Sequence, residues 1–216
     1  MGILYGHRCI LCGADFPVTT SRTLQLCPDC AAAVRREYRC NEVISIAGAD
    51  GTIAPLYYRG TVQNAMKRFK FSSAAYCADW FAAQMCAALT SQLEDWQPDL
   101  ITYMPIGFLH YRKRGYNQAE LLAKLTAKPL SLPCEATLRK RWFVGKQSAQ
   151  KDYAARQSNA KDAVLPKGGV DLTGKSVVLV DDIITTGATA AAAVKALREM
   201  GASRVYVLAA TFTPRK

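Results

Sequence analysis

The chain has 216 residues, half of them apolar, and 28 Lys or Arg against 17 Asp or Glu give a formal charge of +11. That length holds one large domain and a small one, with enough apolar mass for a real core. No apolar run reaches the roughly 18 residues of a membrane span, so membrane insertion is not expected.

The first residues, MGILYGHRCILC, lack the basic stretch, apolar core and small-residue cleavage site of a secretory signal. Gly6 stands where a myristoylation signal has Ser or Thr. A cytoplasmic protein is expected, so its eight cysteines should be ligands or core thiols, not disulfides. Cys9-x-x-Cys12 and Cys27-x-x-Cys30 are separated by fourteen residues. Two such pairs suit a tetrahedral, structural Zn(2+) site with all four thiolates as ligands. Cys40 and His7 are close enough in sequence to be alternative ligands. Cys77, Cys86 and Cys134 sit among apolar residues and read as core. The predicted division is a zinc-finger-like module over 1–47 and a larger domain over 48–216.

Residues 48–60 read as a turn-rich linker running into a strand over 52–58. Residues 61–71 read as a short helix with Val62, Ala65, Met66 and Phe69 on one face. A longer helix is predicted over 72–93, starting at a serine cap. LITYMP (100–105) reads as a strand, GFLHYRKRGYNQ as a basic loop, and the following ten residues as a helix. Open α/β sheets bind ligands at the carboxyl ends of their strands. Arg112, Lys113 and Arg114 are therefore candidates for holding a pyrophosphate. His110 receives no role. Between His110 and Lys161 there are 12 Lys or Arg and 3 Asp or Glu, which points to an anionic partner. Residues 138–165 read as a basic excursion over the site, with a helix over about 148–159. Residues 204–211 read as a last buried strand.

The most informative stretch is VVLVDDIITTGAT, residues 177–189. Val177 to Val180 read as a buried parallel strand. Asp181 and Asp182 follow in an acidic loop, and a helix runs from the TTGAT turn to Met200, ending before Gly201. A helix N-terminus offers free N–H groups and partial positive charge to a phosphate. Gly187 removes a Cβ from that approach, and Thr185, Thr186 and Thr189 add hydroxyls. Asp181 and Asp182 suit sugar hydroxyls or hydrated Mg(2+). A phosphate held at one end and a diol at the other describe a ribose 5-phosphate site. Residues 169–176, GVDLTGKS, fit the Walker A spelling but open a strand instead of a helix, so an NTP-binding loop is set aside. No Gly-x-Gly-x-x-Gly follows a strand.

VVLVDDIITTGAT resembles the PRPP-binding motif of type I phosphoribosyltransferases. The paired Cys-x-x-Cys, YYRG…KRFKF, MP…RKRGYNQAELLA, LRKR…Q…R…N and DDIITTGAT occur in the order typical of the competence protein ComF family, over nearly the whole chain. The resemblance implies an α/β fold, a type I phosphoribosyltransferase-like parallel sheet flanked by helices, preceded by a small four-cysteine zinc module. It implies Mg(2+)-dependent PRPP binding, with Asp181 and Asp182 as catalytic residues and Thr185, Thr186, Gly187, Ala188, Thr189, Arg112, Lys113 and Arg114 as PRPP ligands. It also implies association with other competence proteins and a role in DNA uptake during natural transformation. Ile106-Gly107 departs from the Leu-His common in that family. The expected function is a phosphoribosyltransferase-like protein whose acceptor the sequence does not name. The alternative is a single-stranded DNA-binding adaptor in which PRPP is regulatory or vestigial. Basic residues interleave with aromatics at Tyr57, Tyr58 and Arg59, at Phe69, Lys70 and Phe71, and at Arg139, Lys140, Arg141, Trp142 and Phe143, a pattern suited to base stacking.

Overall fold

A computed structural model describes residues 7–16, 26–71, 74–140 and 164–214. Its centre is a five-stranded sheet of β3 (Gly51–Ile53), β4 (Leu56–Tyr57), β5 (Leu100–Tyr103), β8 (Ser176–Ile184) and β9 (Arg204–Phe212). The order is β3-β9-β8-β5, with β4 also on β9, and every pairing is parallel. The chain therefore has the α/β architecture expected, a parallel sheet covered by helices.

Alternation along β8 divides the core. Val178 and Val180 pack on one face with Phe69, Phe81 and Leu122. These come from α2 (Gly60–Phe71), α3 (Cys77–Thr90) and α6 (Gln118–Ala127). Val177 and Leu179 pack on the other with Val194 and Leu197 of α7 (Ala188–Glu199), and with Ile44 and Ile46. Strands buried on both faces need apolar side chains at successive positions, and Val177 to Val180 are all fully buried.

The N-terminal cysteines lie on a small hairpin, β1 (His7–Arg8) with β2 (Asp15–Phe16), and on α1 (Pro28–Ala33). Pro28 opens α1 where the missing N–H costs nothing. A π turn, Val34–Tyr38, continues it. Ile10 and Leu11 are buried in the same cluster as Phe69 and Phe81, so this module and the sheet domain share apolar packing.

Several boundaries differ from expectation. The predicted strand over 52–58 is two short strands, because Pro55 interrupts the ladder between them. The long helix begins at Cys77, not at the serines, and a separate turn of helix, α4 (Leu93–Trp96), follows it. The basic loop after Pro105 is itself helical, α5 (Phe108–Arg114), ended by Gly115 at φ +79°. Asp181 and Asp182 are not in a loop: β8 runs through them to Ile184, held by pairing of Ile183 and Ile184 with β9.

β6 (Leu138–Lys140) and β7 (Val164–Pro166) form an antiparallel pair. The helix expected over 148–159, with Arg141, Trp142 and Phe143, lies outside the described residues. The outer side of β5 is covered by the segment 133–135. Ile101 N–H donates to Pro133 O at 2.8 Å, and Glu135 N–H donates to Ile101 O at 3.0 Å. Among the described residues no helix is long and apolar enough to cross a membrane.

Candidate functional site

β8, β5 and their neighbours end on one side of the sheet, and the functional side chains collect there. Met104, Pro105, Lys140, Asp181 and the run 183–190 line a cavity of about 180 Å³. The turn after β8 reaches α7 through Gly187, whose φ of +78° puts it in the left-handed region. Ala188 N–H donates to Thr186 Oγ1 at 3.4 Å. The N-cap residue, Gly187, has no side chain to add a further hydrogen bond at the start of α7, which faces the cavity. A Cβ on Gly187 would strike Ile46. That isoleucine belongs to the segment 42–47, which borders residues 184–188 from the other side and lines a further hollow with Phe212.

The two acids have different surroundings. Asp181 lines the cavity with Lys140. Burial and the adjacent Asp182 charge push the Asp181 carboxyl up to about 7, against the Asp182 N–H bond, Lys70 and Lys140, which favour the ionised form. Asp182 N–H donates to Asp181 Oδ1 at 2.8 Å. The Asp182 carboxylate itself is turned to α2, where Lys70 Nζ lies 2.8 Å from Oδ2. Burial pushes the Lys140 ammonium below its usual value, and Asp181 draws it back up.

Asp181, Thr185, Thr186, Gly187, Ala188 and Thr189 therefore meet around one cavity, as the sequence predicts. The basic triplet does not line it. Arg112 lies over the Phe108 ring at 5.7 Å. Arg114 Nη1 donates to Gln118 Oε1 at 3.0 Å. Lys113 sits with them on α5, beside a separate hollow of about 630 Å³. The cations that reach the acids are Lys70 and Lys140, neither of which sequence reasoning placed in the site. Asn117 was also missed. Its Oδ1 accepts from Ala119 N–H at 3.1 Å and its Nδ2 donates to Met104 O at 3.0 Å, fixing α6 to the end of β5. The Asn before an apolar helix was the available signal.

In the N-terminal module, Cys9, Cys12, Cys27 and Cys30 offer four Sγ atoms all within 4.8 Å of one another. Cys12 and Cys27 Sγ are 3.8 Å apart. A tetrahedron with metal–sulfur bonds of about 2.3 Å has edges of about 3.8 Å, so the donor set fits a tetrahedral ion. Burial pushes the Cys9 thiol up, but backbone N–H bonds around it prevail and bring it down to about 7. Burial and the neighbouring sulfurs push Cys30 up. A bound cation would relieve that crowding. Cys40 is not in the cluster and packs against the α7 face of the core. Cys77 is buried, while Cys86 and Cys134 are partly exposed.

Residues 117–215 match the phosphoribosyl transferase domain family. Competence protein F of Haemophilus influenzae is 29% identical over 150 residues, covering 66% of this chain and 64% of its own length. Competence protein ComFC of Bacillus subtilis is 26% identical over 196 residues, covering 91% of this chain and 73% of its own. The DNA utilization protein YhgH of Escherichia coli is 25% identical over 233 residues, covering 96% and 92%. The chain is similar to these competence and DNA utilization proteins. The likeness to ComFC and YhgH spans nearly the whole chain, whereas the chain spans just under two thirds of the Haemophilus protein. The chain thus joins a four-cysteine cluster able to hold a metal to a phosphoribosyltransferase-type sheet.

Proposed function

We propose that the cavity at the end of β8 binds PRPP with Mg(2+), and that the protein acts in DNA uptake during natural transformation as a phosphoribosyltransferase-like component in the cytoplasm. The observation that carries the binding reading is the meeting of Asp181 with the N-terminus of α7 around one cavity. The amides and hydroxyls of Thr185, Thr186, Gly187, Ala188 and Thr189 would take the 5-phosphate. Asp181 would take the ribose hydroxyls and the hydrated cation, with Asp182, paired to Lys70, setting the charge beside it. Mg(2+) commonly uses one or two carboxylates and substrate phosphates, and Asp181 fits that demand. When bound, the cation would neutralise the pyrophosphate as that group leaves. Lys140 lines the cavity and can steady developing negative charge. Arg112, Lys113 and Arg114 would add positive potential from α5 without direct contact.

The cysteine module, 1–47, would hold a structural Zn(2+), and 48–216 would form the sugar-phosphate domain. Other competence proteins are the expected partners. Calorimetry with Mg·PRPP tests the site. Replacing Asp181→Asn and Asp182→Asn together should weaken binding about tenfold or more, as expected when charge-assisted hydrogen bonds are lost. Unchanged binding would remove the assignment.

A second reading, a single-stranded DNA adaptor, is favoured by α5. Phe108 and Tyr111 are 49% and 48% exposed there, beside Arg112 and Lys113. Rings with adjacent cations suit stacked bases and phosphates. The predicted clusters around Arg59 and Lys70 are less available. Phe69 is fully buried, Lys70 is paired with Asp182, and the Arg59 guanidinium lies over Tyr57 while donating to Glu37 O.

A further inference from the structure

The last turn of α2 holds three consecutive residues, Arg68, Phe69 and Lys70, with three different tasks. Arg68 reaches back to the cysteine module. Its Nη2 donates to Leu11 O at 2.9 Å and to Ile10 O, the two carbonyls between Cys9 and Cys12. Phe69 is fully buried, in ring contact with Phe81 and Tyr116, and its carbonyl accepts from the Tyr116 hydroxyl. Lys70 reaches forward to Asp182 at 2.8 Å, with both side chains largely enclosed. Successive helical residues point about 100° apart, so one turn can grip two sites on different sides. Phe69, locked in the core, fixes the rotation of that turn. A shift in the knuckle carbonyls would therefore be felt at Lys70.

We propose that the last turn of α2 ties the cysteine cluster to the acidic pair, with Arg68 and Lys70 acting as positioning residues for the sugar-phosphate site. The inference rests on the reading of that site as a PRPP pocket. Lys70 holds the Asp182 carboxylate toward α2, which leaves Asp181 to face the cavity. Arg68 fixes where Lys70 stands by anchoring the turn to a knuckle that bound metal would stiffen. The metal then has a consequence beyond the stability of its own module: it sets the geometry of an ion pair at the other end of the turn.

The test uses the full, metal-loaded chain and Mg·PRPP as the probe. R68M should retain the metal content of the parent and still weaken Mg·PRPP binding about fivefold or more, the lower end of ordinary coupling between sites. K70M should weaken it to a similar degree, and K70R, which keeps the cation, should restore most of it. The R68M/K70M double variant should be no worse than K70M, because both act through one ion pair. A ligand-free readout guards against a general loss of fold. The Lys70 ammonium, paired and enclosed, should give an exchange-protected nitrogen-15 NMR signal that disappears in R68M while the melting transition stays cooperative. If R68M binds within about twofold of the parent, the scatter of independent effects, or keeps the protected signal, the tie does not exist. If the parent itself fails to bind Mg·PRPP, the PRPP reading falls, and the ammonium signal alone decides the tie.

Discussion

Asp181 is the residue where electrostatics and ligand recognition meet. Its carboxyl is pushed up to about 7 by burial and by the Asp182 charge. Sugar hydroxyls and a hydrated cation call for the ionised form, so Mg·PRPP affinity should rise as pH increases through about 7 and level off above it. Asp181→Asn should flatten that profile in calorimetry from about pH 6 to about pH 8.5. The stability effect has the opposite sign. The folded state binds the Asp181 proton more tightly than the unfolded state, so this group's contribution is complete at acid pH and is lost as pH rises from about 4 through about 7. The resting site is thus strained most where it binds best. Gly187 carries a second constraint. A Cβ at its positive φ costs about 1–2 kcal/mol, and that Cβ would also strike Ile46. Gly187→Ala should lower the denaturant midpoint. Adding Ile46→Ala should recover only the collision, leaving the backbone cost and weak phosphate binding.

Among the elements, the cysteine knuckles make the clearest demand. Thiols this close repel when ionised, and a tetrahedral cation removes the repulsion. Chelation should lower the melting temperature and release protein-bound zinc, and Cys27→Ser should abolish stoichiometric zinc. Metal-free protein that melts at the same temperature would contradict a structural role. This cluster was legible in the sequence because two identical spacings carry the geometry of the site. β8 and α7 were legible for a related reason: a buried strand, a glycine turn and a helix follow one another locally. α5 was not. FLHYRKR lies between Pro105 and Gly115 without an apolar stripe, and its helix is set by the strand it leaves and the turn it enters. Lys70 was hidden because its partner, Asp182, lies in a distant part of the chain, and no spacing rule reports such an ion pair. The segment 42–47 carries no element signal in the sequence, yet Ile46 packs onto the turn at Gly187, a contact made by tertiary structure alone.

For the whole molecule, charge decides the choice between small ligand and polymer. The protein carries +11 overall, much of it between His110 and Lys161. A single strand lying along α5 would displace counterions with every phosphate contact, so its binding should fall steeply with salt. Fluorescence anisotropy with a labelled oligonucleotide from about 50 to about 300 mM salt should show that slope, and replacing Phe108 and Tyr111 by Ala should cost roughly 1–3 kcal/mol per stacked base. Mg·PRPP, a single small ligand making few phosphate contacts, should respond less. No binding at low salt would end the adaptor reading.

The strip of chain beside β5 bears on assembly. With Ile101 N–H and C=O already engaged by residues 133 and 135, that border of the sheet has no vacant rung at its centre for a visiting strand. A neighbouring copy or another protein cannot extend the sheet there by zippering on, a route open to bare strand borders. Contacts on that flank must be made through side chains instead, which favours reversible docking over fibre-like growth.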